Sequence, residues 1–292
     1  MKKSKPSRRL SAQSKRIIVV VSILLIGILG VYAEVWRPNQ NAKAYVNHLE
    51  VSSKPLQECF EELSATTDLD IYYAPDIALD QKRKDTATIL KQIDTCRTEL
   101  KEFDAKAHDL INLRLSGYTA PYRQAKVYQR QAFDIAGQSN DVLNQYSKLA
   151  TFLSSYYDHI NAFQTYTQEL QDRKFYLGDA QLTTMQQQAT DLRQRGKQIK
   201  GLDTPAEFNT TRSSTISMFS AAAAGFDTVV SGYRTGDNFA VEAGYQEINN
   251  ATVTYNSKVI NLPFDQLIKS YIPKQVQQLP GKVENLLVSS VE

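Results

Sequence analysis

Cys59 and Cys96 are the residues whose chemistry is simplest to foresee, because a chain with two thiols and no third can only pair them or leave both reduced. Outside a membrane, in an oxidising compartment, they pair. The bridge closes a loop of about 38 residues, which stabilises a fold by about 4 kcal/mol in the chain-entropy description. The same two cysteines with three separated histidines, His48, His108 and His159, do not have the spacing of a zinc site. Each histidine reads as a polar surface or boundary residue.

Asp68, Asp70, Asp76 and Asp80 place four carboxylates close together, but without the Gly and the terminal Glu of a calcium loop. Their segment, 68–85, is long for a turn and carries apolar and aromatic side chains that need a place to pack. Ile71, Tyr72, Tyr73 and Asp76 therefore form the candidate recognition loop. Two basic groups stand out further on. Lys82, Arg83 and Lys84 are consecutive, and Arg193, Lys197 and Lys200 share a helix face with Arg195 on another; both read as solvated surface. The chain has no Gly-rich phosphate loop, no nucleophile elbow and no histidine pair on one helical turn. No catalytic residue, cofactor or metal is expected, and the chain does not read as an enzyme.

The elements that carry these residues are helices. Ile89, Ile93, Cys96, Leu100, Phe103, Ala107 and Leu110 recur at steps of four and three, one apolar stripe on a long helix. Val46, Leu49, Ser53, Leu56, Phe60 and Leu63 keep the same spacing through Pro55, which should kink or split their helix. Cys59 and Cys96 then lie on two antiparallel helices. A third stripe runs from Ala132 through Tyr146, Tyr156 and Phe163 to Leu170, with Gly137 and Ser154-Ser155 as expected bends. Others follow: Leu182 to Ile199, Phe208 to Tyr233, and Val241 to Leu262. Of the sixteen Tyr, those at positions 146, 156, 233, 245 and 255 fall at core spacing. Ala221 to Ala224 with Gly225 predicts a close helix contact. Pro121 and Pro205 each open a helix after a charged one, which suggests two related helical hairpins. Pro273 and Pro280 should allow only short helices in the last segment. The expected fold is all-α: a transmembrane helix, then an antiparallel bundle of long helices.

The transmembrane expectation rests on the apolar run from Ile17 to Ala33, preceded by Lys2, Lys3, Lys5, Arg8, Arg9, Lys15 and Arg16 with no acidic residue. Such a tail stays on the cytoplasmic side, against anionic headgroups. Arg16 on one side and Tyr32 and Trp36 on the other would mark the two interfaces. The segments are then a basic tail over 1–16, an anchor over 17–33, an outer bundle over 34–262 and a short-helix tail over 263–292. The alternative is a signal peptide cleaved after Ala33, which would leave a secreted protein. Charge divides at the same place: without the seven tail cations, 27 Lys and Arg face 31 Asp and Glu, a net of −4 outside. A mildly acidic outer domain removes most of the case for nucleic acid, which wants a basic face on the folded domain, and no nucleic-acid partner is expected. The expected function is a membrane-anchored, extracytoplasmic module that binds a protein or cell-wall partner. A ligand-sensing ectodomain acting with a membrane partner is the second expectation.

Overall fold

We describe the protein from a computed structural model, over residues 12–32, 36–66, 79–109, 120–172, 178–259 and 273–288. Eight α-helices occur in chain order among these residues, and no strand. They are α1 (Ala12–Val31), α2 (Arg37–Ala65), α3 (Leu79–His108), α4 (Ala120–Asp172), α5 (Asp179–Gly201), α6 (Asn209–Thr235), α7 (Asn238–Val259) and α8 (Pro273–Val288). A 3-10 turn, Ala206–Phe208, precedes α6. The chain forms two compact units, one of Met1–Pro55, Lys101–Gly137 and Val283–Glu292, the other of Leu56–Leu100 and Gln138–Lys282.

Burial follows the apolar stripes. On α3, Ile89, Ile93, Cys96, Leu100, Phe103 and Ala107 are all buried, and on α2 so are Leu49, Ser53, Leu56, Phe60 and Leu63. Leu110 lies outside the described residues. Cys59 and Cys96 are joined by a disulfide with Cα atoms 5.5 Å apart, tying α2 to α3. On α4 the stripe from Ala132 to Leu170 is buried at every expected position. The bends expected at Gly137 and Ser154-Ser155 do not interrupt it, and α4 is one helix of 53 residues.

Two prolines also lie inside helices instead of ending them. Pro55 is exposed within α2, so the Val51 carbonyl it leaves without an intrahelical donor lies on a side of the helix open to water; Val51 itself is exposed. Pro280 lies within α8, where Val276, Leu279, Val283 and Leu286 are buried. Burying four such side chains contributes about 1.5 to 3 kcal/mol each, more than the ~3 kcal/mol that one internal proline costs. The helices that follow Pro121 and Pro205 have 53 and 27 residues, so the two hairpins do not match in length.

The α6–α7 hairpin brings two backbones into close contact. A Cβ at Gly225 would stand 2.8 Å from the Gly244 carbonyl oxygen, and one at Gly244 would stand 2.7 Å from the Gly225 oxygen. Only glycine lets the two backbones approach this closely. The turn between the helices uses Gly236 at φ 71°, and Asp237 caps α7 by accepting from the backbone N–H groups of Phe239 and Ala240 at 3.0 and 3.1 Å.

In α1 the side chains described begin at Val20, and from there to Tyr32 the large apolar residues are 48–69% exposed. Nothing else among the described residues covers them. Among the described residues, no helix is long and apolar enough to cross a membrane. The stretch from Val20 to Tyr32 rises about 20 Å, short of the ~30 Å hydrocarbon layer. The expected span over 17–33 is therefore unsupported by the described part: the side chains of Arg16 to Val19, and residues 33–35, lie outside it.

Candidate functional site

The polar residues that α4 and α5 bring together form a network absent from the sequence expectations. His159 is buried, not a surface or boundary residue, because it sits beside the apolar stripe of α4. Arg195 of α5 donates through Nε to Asp191 Oδ2 at 2.5 Å and through Nη1 to Asp158 Oδ2 and His159 Nδ1, each at 3.1 Å. Tyr166 donates to Asp191 Oδ2 at 2.7 Å, and Arg83 of α3 reaches Asp158 Oδ1 at 3.0 Å. Burial lowers the His159 pKa, and the charge of Arg195 lowers it further against the pull of Asp158 and Asp191. Burial works to raise the Asp191 carboxyl, but the hydrogen bonds from Tyr166 and Arg195, with the charge of Arg195, hold it below its usual value.

The chemistry of this cluster follows from its donors. A guanidinium can only donate, so His159 Nδ1 accepts and the proton of the neutral ring is on Nε2. That proton points at Ser155 Oγ, 3.2 Å away. A serine nucleophile needs the reverse, a histidine nitrogen that takes the hydroxyl proton. The network is a structural clamp, with no base facing a nucleophile.

The second constellation is a groove of about 780 Å³ between the last turns of α4, the end of α6 and the length of α7. Leu170, Val241, Ile248, Tyr233 and Tyr245 supply its apolar walls, and Gln171, Asn238, Gln246 and Asn249 its amides. Glu242 carries the one formal charge among the described lining residues. Burial, and then the neighbouring Tyr233, push the Tyr245 hydroxyl up to about 12, so it stays protonated and bonded to Tyr233. Tyr233 and Tyr245 fall at core spacing, yet both are half-buried and face this groove. Tyr146, Tyr156 and Tyr255 are buried as their spacing implies. Beside the groove, Phe239 at the start of α7 is 87% exposed.

The remaining expected residues separate. Ile71, Tyr72, Tyr73 and Asp76, with Asp68 and Asp70, lie outside the described residues. Asp80 pairs with Arg83 at 3.2 Å, and Lys82 stands 5.8 Å over the Tyr157 ring. Arg193, Lys197 and Lys200 are exposed, Arg193 paired with Asp227. His48 is exposed, and exposed His108 packs its ring 4.7 Å from that of Phe133. Tyr32 and Trp36 stack at 4.9 Å, both about half exposed. No group of His, Cys, Asp or Glu among the described residues has the geometry to hold a metal ion. Comparison of the chain with protein-family models, with curated proteins and with solved structures finds no match.

Proposed function

We propose that this chain is a non-enzymatic, single-pass membrane protein whose α1 is the anchor. Its outer helices bind a protein or cell-wall partner through the groove along α7. The groove carries the reading: it combines apolar walls, two tyrosines and a rim of amides with an exposed phenylalanine beside it. Its composition is that of a contact surface, with aromatic anchors inside and polar groups around them. The anchor is supported by the run Ile17 to Ala33, the basic residues before it and the uncovered side chains of α1. In this reading the N-terminus is cytoplasmic, the groove is outside, and Tyr32 and Trp36 lie at the outer interface.

The two parts are tested separately. A photo-crosslinking residue at Asn249, in intact cells, should capture an envelope protein or wall polymer, and Gln246→Arg should abolish the capture. Recovery of the chain alone would reject the binding role. Trp36 is the single tryptophan, so its fluorescence reports the anchor directly. In vesicles containing brominated lipid it should be quenched strongly; unquenched Trp36 would reject the anchor. An N-terminus beginning at Glu34 in the mature protein would instead make it a secreted one.

A groove of this volume also suits a small molecule, which favours a ligand-sensing ectodomain as the second reading. Under it, a small organic molecule raises the melting temperature, and Tyr245→Ala removes that shift.

A further inference from the structure

Charge along the helices is uneven in a way the net value of the outer chain conceals. The first two-thirds of α2, residues 37–55, holds Arg37, Lys43 and Lys54 against one acid, Glu50. The first turns of α4, residues 120–137, hold Arg123, Lys126 and Arg130 against one acid, Asp134. Six cations thus face two acids in a pair of segments belonging to one compact unit, while the outer chain as a whole is acidic.

The α4 cations are ordered as well as numerous. Arg123, Lys126, Val127 and Arg130 follow the three- and four-residue steps of one helix face, and with Tyr122 they line a shallow recess. Arg123 and Arg130 are exposed, and Val127, at 54%, is one of the few large apolar side chains exposed outside α1. Lys126 keeps its stem half-buried and donates to Gln129 at 3.1 Å. Cations set around an exposed apolar residue and a tyrosine make a surface for charged headgroups above an apolar boundary.

The position of this face within its unit indicates the occupant. Pro121 and Gln124 line a recess together with Ala42, Lys43 and Val46. The start of α4 is therefore beside the second turn of α2. Lys43 is seven residues from Trp36, about 10 Å along a helix, which is close to the screening length at physiological salt. The face begins where the chain leaves the anchor.

We propose that Arg123, Lys126 and Arg130, with Val127 between them, form a docking surface for the anionic lipid of the bilayer that holds α1. The proposal rests on the anchor reading above. Each cation near an anionic surface biases the equilibrium towards contact about fivefold, so the three together supply roughly a hundredfold.

The test uses the full chain, reconstituted in vesicles carrying brominated lipid, with bimane on the single new thiol of Val127→Cys. Bimane should be quenched in vesicles of phosphatidylcholine with about a third phosphatidylglycerol, and not in phosphatidylcholine alone. The quenching should disappear in R123Q/K126Q/R130Q and in 1 M salt, where the screening length is about 3 Å. Equal quenching in both lipids, or none in the anionic vesicles while Trp36 remains quenched, overturns the docking surface and leaves the anchor standing. Loss of Trp36 quenching in both vesicles overturns the anchor and the docking surface with it. A bimane response to soluble poly(glycerol phosphate) but not to anionic vesicles assigns the face to a wall polymer and rejects lipid.

Discussion

His159 is held by accepting from Arg195 on one side and donating to Ser155 on the other, so protonating it would put a second cation against the guanidinium. Its folded pKa is lowered, which means that the unfolded chain takes up a proton that the folded chain refuses. The stability this contributes is fully present above the unfolded value, near 6.5, and is lost as pH falls below it. The unfolding free energy from urea titrations should therefore drop between pH 7.5 and 5, by up to about 1.4 kcal/mol per pH unit at the acid end. His159→Gln should flatten that slope, and an unchanged slope would show that the clamp does not titrate. Asp191, held low, contributes in the same direction but only below the ordinary carboxylate range. Neither residue was legible as a partner of Arg195. Spacing places His159 beside the stripe of α4, but the guanidinium that determines its tautomer comes from α5, and no local pattern records which helix faces it.

At the scale of helices, the periodic apolar residues were a reliable guide, while of the helix breakers those at Pro121, Pro205 and Gly236 stand at helix ends and Pro55, Gly137 and Pro280 lie within helices. Pro55 and Pro280 stay within helices that have buried apolar residues on both sides of the proline. Gly225 and Gly244 have a different role, since each occupies the space that a methyl group on the other helix would need. Gly244→Ala should destabilise the bundle by about 1 to 3 kcal/mol through this overlap. Gly137, inside α4, has nothing within 4 Å of a Cβ, and Gly137→Ala should stabilise by up to about 1 kcal/mol. Thermal melts of the two variants should move in opposite directions. A null result at Gly244 would mean that the α6–α7 hairpin is loose.

The disulfide acts on the molecule as a whole. Cys59 and Cys96 are separated by 37 positions in sequence, and C59A/C96A should lose about 4 kcal/mol, measured by denaturant unfolding. Reduction of the unaltered protein should reproduce the loss, and a smaller effect would mean that the reduced unfolded chain is already constrained. Much of this molecule was decided along the chain itself. The helical class and the buried stripes on α2 to α6 follow from apolar residues repeating at the helical period, and the bridge follows from there being two cysteines on neighbouring helices. Those are local properties, and a local reading captures them. The groove beside α7 and the clamp around His159 each need side chains brought together from separate helices, and so does the placement of the α4 basic face beside α2. Tyr245 has the same spacing as a core residue and becomes a groove residue because α4 and α6 leave its side of α7 partly uncovered. Which face a helix shows to its neighbours is determined by packing between helices, and that is the information a single periodic strip of sequence does not carry.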